Sequence, residues 1–212
     1  MRNEKDGRFT RSLIYGVGID DVDGTKEYVD ETGKRKTNKC FNTWKNMLKR
    51  CYHPTGEYKG KVTICDAWSY FSKFKVWYDE NYKQGYELDK DICGGKIYSP
   101  NTCVFIPREV NTYIIGVNDE CGFYYEEGRN KYQSYCQRFK GKRKSLGRFD
   151  TKEEAVMHSK LFKIGEINEL MGSINDLALK IKLSELCDRM FLNYVIPKTN
   201  HKFSIVNLKD YC

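Results

Sequence analysis

No Cys-x-x-Cys pair occurs in the chain, although its 212 residues include nine cysteines. Without that spacing no zinc ribbon or finger can be read from the cysteines alone. Two readings stay open for them. Cys51, His53, Cys65 and Cys103 could converge as a sulfur and nitrogen set for zinc, or the thiols could be free and buried beside core aromatics. An odd number of cysteines cannot all pair within the chain. The polar start MRNEKDGRFTR also lacks a secretory or transit signal. Reduced thiols and a cytoplasmic location are therefore expected. No apolar run approaches the length that crosses a bilayer. Histidine is scarce, with only His53, His158 and His201. At 40% hydrophobic and 14% aromatic residues, general disorder is excluded.

The most informative absence is local. Residues 128–148 contain no carboxylate but hold eight cations, Arg129, Lys131, Arg138, Lys140, Lys142, Arg143, Lys144 and Arg148. The whole chain has 37 lysines and arginines against 29 acids, a formal net charge of +8. A run this one-sided suits an anionic partner, with a solvated basic hairpin as the alternative. Strand alternation puts Lys131, Gln133, Tyr135 and Gln137 on one side and Tyr132, Ser134, Cys136 and Arg138 on the other. The first set is a row of long donors with one aromatic ring, suited to base edges and phosphates in a major groove. Lys140-Gly141-Lys142 reads as a hairpin turn, and Gly147 as a bend before Phe149. Thr151 with Glu154 is a capping box that starts a helix near Lys152. That helix has a broad apolar face, including Ala155, Phe162 and Ile164, to lie on the back of the sheet.

GFYY, NKYQSYCQ, KRKSLGRFD and TKEEA resemble the plant ethylene-response-factor (AP-two type) DNA-binding domain, in the form fused to phage and bacterial HNH nucleases. The resemblance implies a three-stranded sheet that reads the major groove, with Tyr124, Arg129, Lys131, Tyr135, Gln137 and Arg143 facing it. It implies Phe123, Tyr132, Cys136 and Leu146 in the core. With Gln133 and Lys144, these groove-facing residues form the expected DNA-binding set. Glu126 and Glu127 in the first turn, and Ser145 in place of a large aromatic, depart from the plant pattern.

Earlier in the chain, residues 33–50 again lack acids. Their cations either follow a phosphate backbone or form a solvated face. Phe41, Trp44, Leu48 and Cys51 recur at helical spacing. A second helix is expected over 67–78 after Asp66, with Trp68, Phe71, Phe74 and Trp77 facing inward. Strands are expected over 86–92 and 102–106, and Pro107 can open a helix through Asn111. TWKNMLKRCY, VTICDAWSYFSKF, ELDKDI and YSPNTCVFIPREVN are similar to the HNH (ββα-metal) domain of phage homing endonucleases. That resemblance implies Asp89 and Asn111 as ligands of a divalent cation such as Mg2+, and Asn101 as the residue that orients a catalytic histidine. Lys90 stands where the histidine would be. A histidine is neutral near working pH, whereas a lysine must shed its proton through burial or a nearby cation. Lys90 could instead pair with phosphate, and Asp91 is the other candidate base or a metal ligand.

These readings give an α+β protein with four parts. They are an extension over 1–40, an HNH-like ββα module over 41–117, an AP-two-like domain over 118–172, and a helical extension and tail over 173–212. The expected function is sequence-specific binding of double-stranded DNA as a regulator or site competitor, with weak or no nuclease activity and no cofactor needed for binding. The alternative is an active Mg2+-dependent endonuclease using Asp89, Lys90, Asn101 and Asn111. RNA binding ranks third, because paired base-stacking aromatics are lacking. The apolar stripe in 174–192 either joins two copies or folds back on the middle domain of its own chain.

Overall fold

The computed structural model describes residues 13–196 except 25, together with the backbone of residues 4–5 and 8–9. These divide into two compact units. One runs up to residue 90 and includes 95–108; the other comprises 91–94 and the chain from 109 onward. The α+β class holds, with five helices and several short strand pairs among the described residues. No described helix is long and apolar enough to cross a membrane.

The first unit is built on aromatic packing. Two short antiparallel pairs come first, β1 (Glu4–Lys5) with β2 (Arg8–Phe9), and β3 (Glu27–Val29) with β4 (Arg35–Thr37). Helix α1 (Lys39–Tyr52) starts where the Asn38 side chain accepts the Cys40 amide at 2.9 Å. Its stripe of Phe41, Trp44, Leu48 and Cys51 meets Trp68, Phe71 and Phe74 in one core. Phe41 and Phe71 stand edge to face at 5.1 Å, and the Trp44 indole donates to the Trp68 carbonyl at 2.7 Å. Each such ring contributes roughly 1.5–3 kcal/mol on burial, which makes this cluster the chief support of a small unit.

The helix expected over 67–78 is interrupted. β5 (Thr63–Ile64) leads into a 3₁₀ turn over Asp66–Ser69, and helix α2 (Phe71–Asn81) begins only afterward. Tyr70 between them is extended, because the Ile19 amide bonds the Ser69 carbonyl (2.7 Å) and the Phe71 amide bonds the Ile19 carbonyl (2.9 Å). A side chain at Gly18 would meet Leu48 at 2.4 Å, so glycine lets this segment lie against α1. β6 (Tyr86–Asp89) also ends earlier than expected, since residues Asp91–Cys93 form a 3₁₀ turn. β7 (Ile97–Tyr98) pairs in parallel with β5. The Ser99 carbonyl then accepts the Thr102 and Cys103 amides, which delays β8 to Val104–Pro107, antiparallel to β6.

The second unit holds the sheet. Helix α3 (Arg108–Ile114) begins at the last residue of the first unit, one position after Pro107. β9 (Phe123–Glu126), β10 (Lys131–Gln137) and β11 (Arg143–Phe149) form an antiparallel meander in that order. Helix α4 (Lys152–Ser173) lies on one face, and its N-terminus has both halves of the expected capping box. Ser134 Oγ donates to the Ala155 carbonyl at 2.7 Å, and the Phe149 ring stacks on His158 at 4.2 Å. Lys160, only 2% exposed, donates to the carbonyls of Gly116, Val117 and Asp119. Burial lowers its pKa, and the three carbonyls replace the water its ammonium has lost. Helix α5 (Leu177–Tyr194) packs on α4, burying Leu179, Leu183, Leu186 and Met190.

Candidate nucleic-acid interface

The face of the sheet away from α4 is fixed by register. Cross-strand rows place Tyr124, Gln133 and Arg148 together, Glu126 opposite Lys131, Tyr135 opposite Ser145, and Gln137 opposite Arg143. Ser134 and Phe149 touch α4, so these rows occupy the opposite side. The register shifts between Ser134 and Tyr135, leaving Leu146 as an extra residue in β11. Gly147 sits there at φ +116°, a backbone setting that side chains rarely adopt. Plain alternation from Arg143 would turn Arg148 toward α4. The bulge turns it outward and brings Phe149 in.

Within this face Tyr124 and Tyr135 lie 6.1 Å apart, and the Arg143 guanidinium stacks on Tyr135 at 4.4 Å. Glu126 accepts from Arg129, which follows β9 in a 3₁₀ turn, and from Arg148 Nε at 2.6 Å. Arg148 chiefly, with help from Arg129, holds the Glu126 carboxyl below its ordinary value against the opposing effect of desolvation. Lys131 pairs with Asp150.

Two expected contact residues are placed otherwise. Gln133 is on the outward side but only 5% exposed; its amide nitrogen lies within 2.9 Å of Ser134 O, Ser145 Oγ and Gly147 O, which share its two N–H groups, so it closes the bulge. Lys144 lies opposite Cys136, with its ammonium 4.7 Å from the Phe162 ring of α4. It belongs to the helix side, because its neighbour Arg143 points outward. Gln137 is exposed, and its amide braces the hairpin turn through Gly141 O. The basic run is also less one-sided than its sequence. Arg138 donates to the buried Glu166 at 2.9 Å, and Lys140 pairs with Glu109 at 3.1 Å. With Arg129, Lys131 and Arg148, five of the eight cations have a carboxylate partner drawn from outside residues 128–148. The exposed pairs of Lys131 with Asp150 and Lys140 with Glu109 are worth only about 0–1 kcal/mol, so phosphate can exchange with them.

Asp89 and Lys90 stand at the end of β6, 5% and 4% exposed. The Lys90 ammonium lies 4.2 Å from the Tyr58 ring centre and 5.8 Å from that of Tyr98, and the Arg50 guanidinium lies 5.1 Å from the same Tyr58 ring. An ammonium buried among rings is not presented to a DNA backbone, so the expected phosphate contact of Lys90 does not fit its position. Asn101 is exposed in the turn before β8. Asn111, on α3, belongs to the second unit. No group of three or more His, Cys, Asp or Glu side chains among the described residues is placed to hold a metal ion. Cys51, His53, Cys65 and Cys103 thus do not gather into such a set.

Arg148 is the residue that alternation missed. The signal for it was Gly147 inside a strand pattern, since an isolated glycine there marks a bulge. No family model, curated protein or solved structure matches the chain.

Proposed function

We propose that this chain binds double-stranded DNA sequence-specifically through the outward face of β9, β10 and β11. We place it in the phage HNH homing-endonuclease lineage, as a regulator or site competitor with weak or no cleavage in the host cytoplasm. The carrying observation is one sheet face that combines Tyr124, Lys131, Tyr135, Arg143 and Arg148 while α4 covers the other. A short twisted sheet can enter a major groove, where arginine reads guanine and exposed cations engage phosphates. The helix behind it keeps the rows rigid.

The β6, β8, α3 order, with Asp89 ending β6, favours a second reading, an Mg2+-dependent endonuclease. Magnesium takes one or two carboxylates plus substrate phosphates. Here Asp89 is nearly buried, and binding remains the preferred activity.

The test is to incubate the purified chain with phage genomic DNA and Mg2+ or Mn2+, scoring protection and cleavage together. A discrete footprint without cuts is expected, with affinity that falls steeply as salt rises, because each neutralised phosphate releases counterions. Cleavage that Asp89→Ala abolishes while binding survives would establish the nuclease instead. No footprint and no salt-dependent binding would end both readings.

A further inference from the structure

The Glu126 and Arg148 pair crosses the outward face from the first strand to the third. Arg148 Nε donates to one carboxylate oxygen at 2.6 Å, while Arg129 donates to the other. Glu126 is 21% exposed and Arg148 47%. With Nε engaged, the two terminal amino groups of Arg148 keep their four N–H donors, and the carboxylate fixes the plane in which they lie. A guanidinium held in one plane is the partner that guanine O6 and N7 accept in bidentate fashion. A mobile arginine would have to be ordered first, and a lysine has no second parallel donor. Beneath the pair, Gln133 is already engaged in the bulge and does not compete for the base.

We infer that Arg148 reads a guanine in the target and that Glu126 is its positioning residue. The inference rests on the DNA-binding reading above and assigns one base within it. Glu126 does not simply repel DNA here, since each of its oxygens is neutralised by an arginine.

The full chain and its Arg148→Lys and Glu126→Gln variants would each select from a pool of randomised duplexes, with thermal unfolding measured in parallel. The wild type is expected to enrich a motif with an essential guanine. Arg148→Lys keeps a positive charge and should lose roughly 5- to 150-fold of the preference for guanine at that position alone, the range for one bidentate contact. Glu126→Gln should weaken the same position with the unfolding midpoint unchanged, a readout that a purely structural residue would not move. If the wild type enriches a motif and Arg148→Lys leaves every position as it was, the inference is wrong while the DNA reading stands. A uniform loss across all sequences would assign Arg148 to phosphate and also overturn it. If the wild type selects nothing, the DNA reading itself fails.

Discussion

Single side chains here answer to neighbours that lie far away in the chain. His158 faces the sheet, stacked on Phe149, and burial lowers its pKa below the ordinary 6.5, with Glu154 opposing. The unfolded chain then binds a proton that the folded chain resists. This contribution to stability is full above about pH 6.5 and is lost as pH falls through the lower folded value. Urea midpoints between pH 7.5 and 5 should therefore fall on acidification, and His158→Leu should flatten that decline. An unaltered slope in the variant would assign the titration to another group. Lys90 shows the same dependence on context. The resemblance set it where a catalytic histidine would stand, whereas folding lays its ammonium over Tyr58.

Among the elements, β11 decides which residues face the interface. Its bulge depends on Gly147 at φ +116° and on the Gln133 amide that closes it. Alanine at 147 would be strained even where space exists, because its Cβ disfavours that backbone setting. Gly147→Ala should cost about 1–3 kcal/mol in urea denaturation. Relief of that strain by regular pairing would turn Arg148 inward and Phe149 outward. A variant as stable as the parent would show that the bulge tolerates a side chain. The interruption before α2 has a comparable origin, since pairing with Ile19 overrides the helical spacing around Tyr70.

For the molecule as a whole, the expectations concern association. The apolar stripe of α5 was open to a second copy or to its own chain, and its buried residues Leu179, Leu183, Leu186 and Met190 pack within the second unit. Leu177, Ile181, Phe191 and Leu192 remain exposed, with Ser184, Glu185 and Asp188 between them, and exposed apolar side chains are ordinary on a protein surface. A monomer is expected by mass measurement in solution at micromolar protein. A stable dimer that Ile181→Glu disrupts would return the helix to the role of an interface. The net charge of +8 favours a soluble chain and attraction to polyanions, without choosing among them.

Local chemistry alone determined the α+β class, the capping box at Thr151 and Glu154, the helix around Trp44, and the alternation that groups Lys131, Tyr135 and Gln137. These depend on residues within a few positions of one another, where spacing translates directly into direction. Only tertiary structure decided that Arg148 turns outward, that Lys144 faces α4, and that Gln133 closes a bulge. It also decided which cations of the basic run are paired, because Glu109, Glu126, Asp150 and Glu166 lie outside that run and reach it through folding. The same holds for Lys90, whose aromatic surroundings come from Tyr58 and Tyr98. Strand alternation reports a side only until a residue is inserted, and charge counting reports a field only until distant carboxylates arrive.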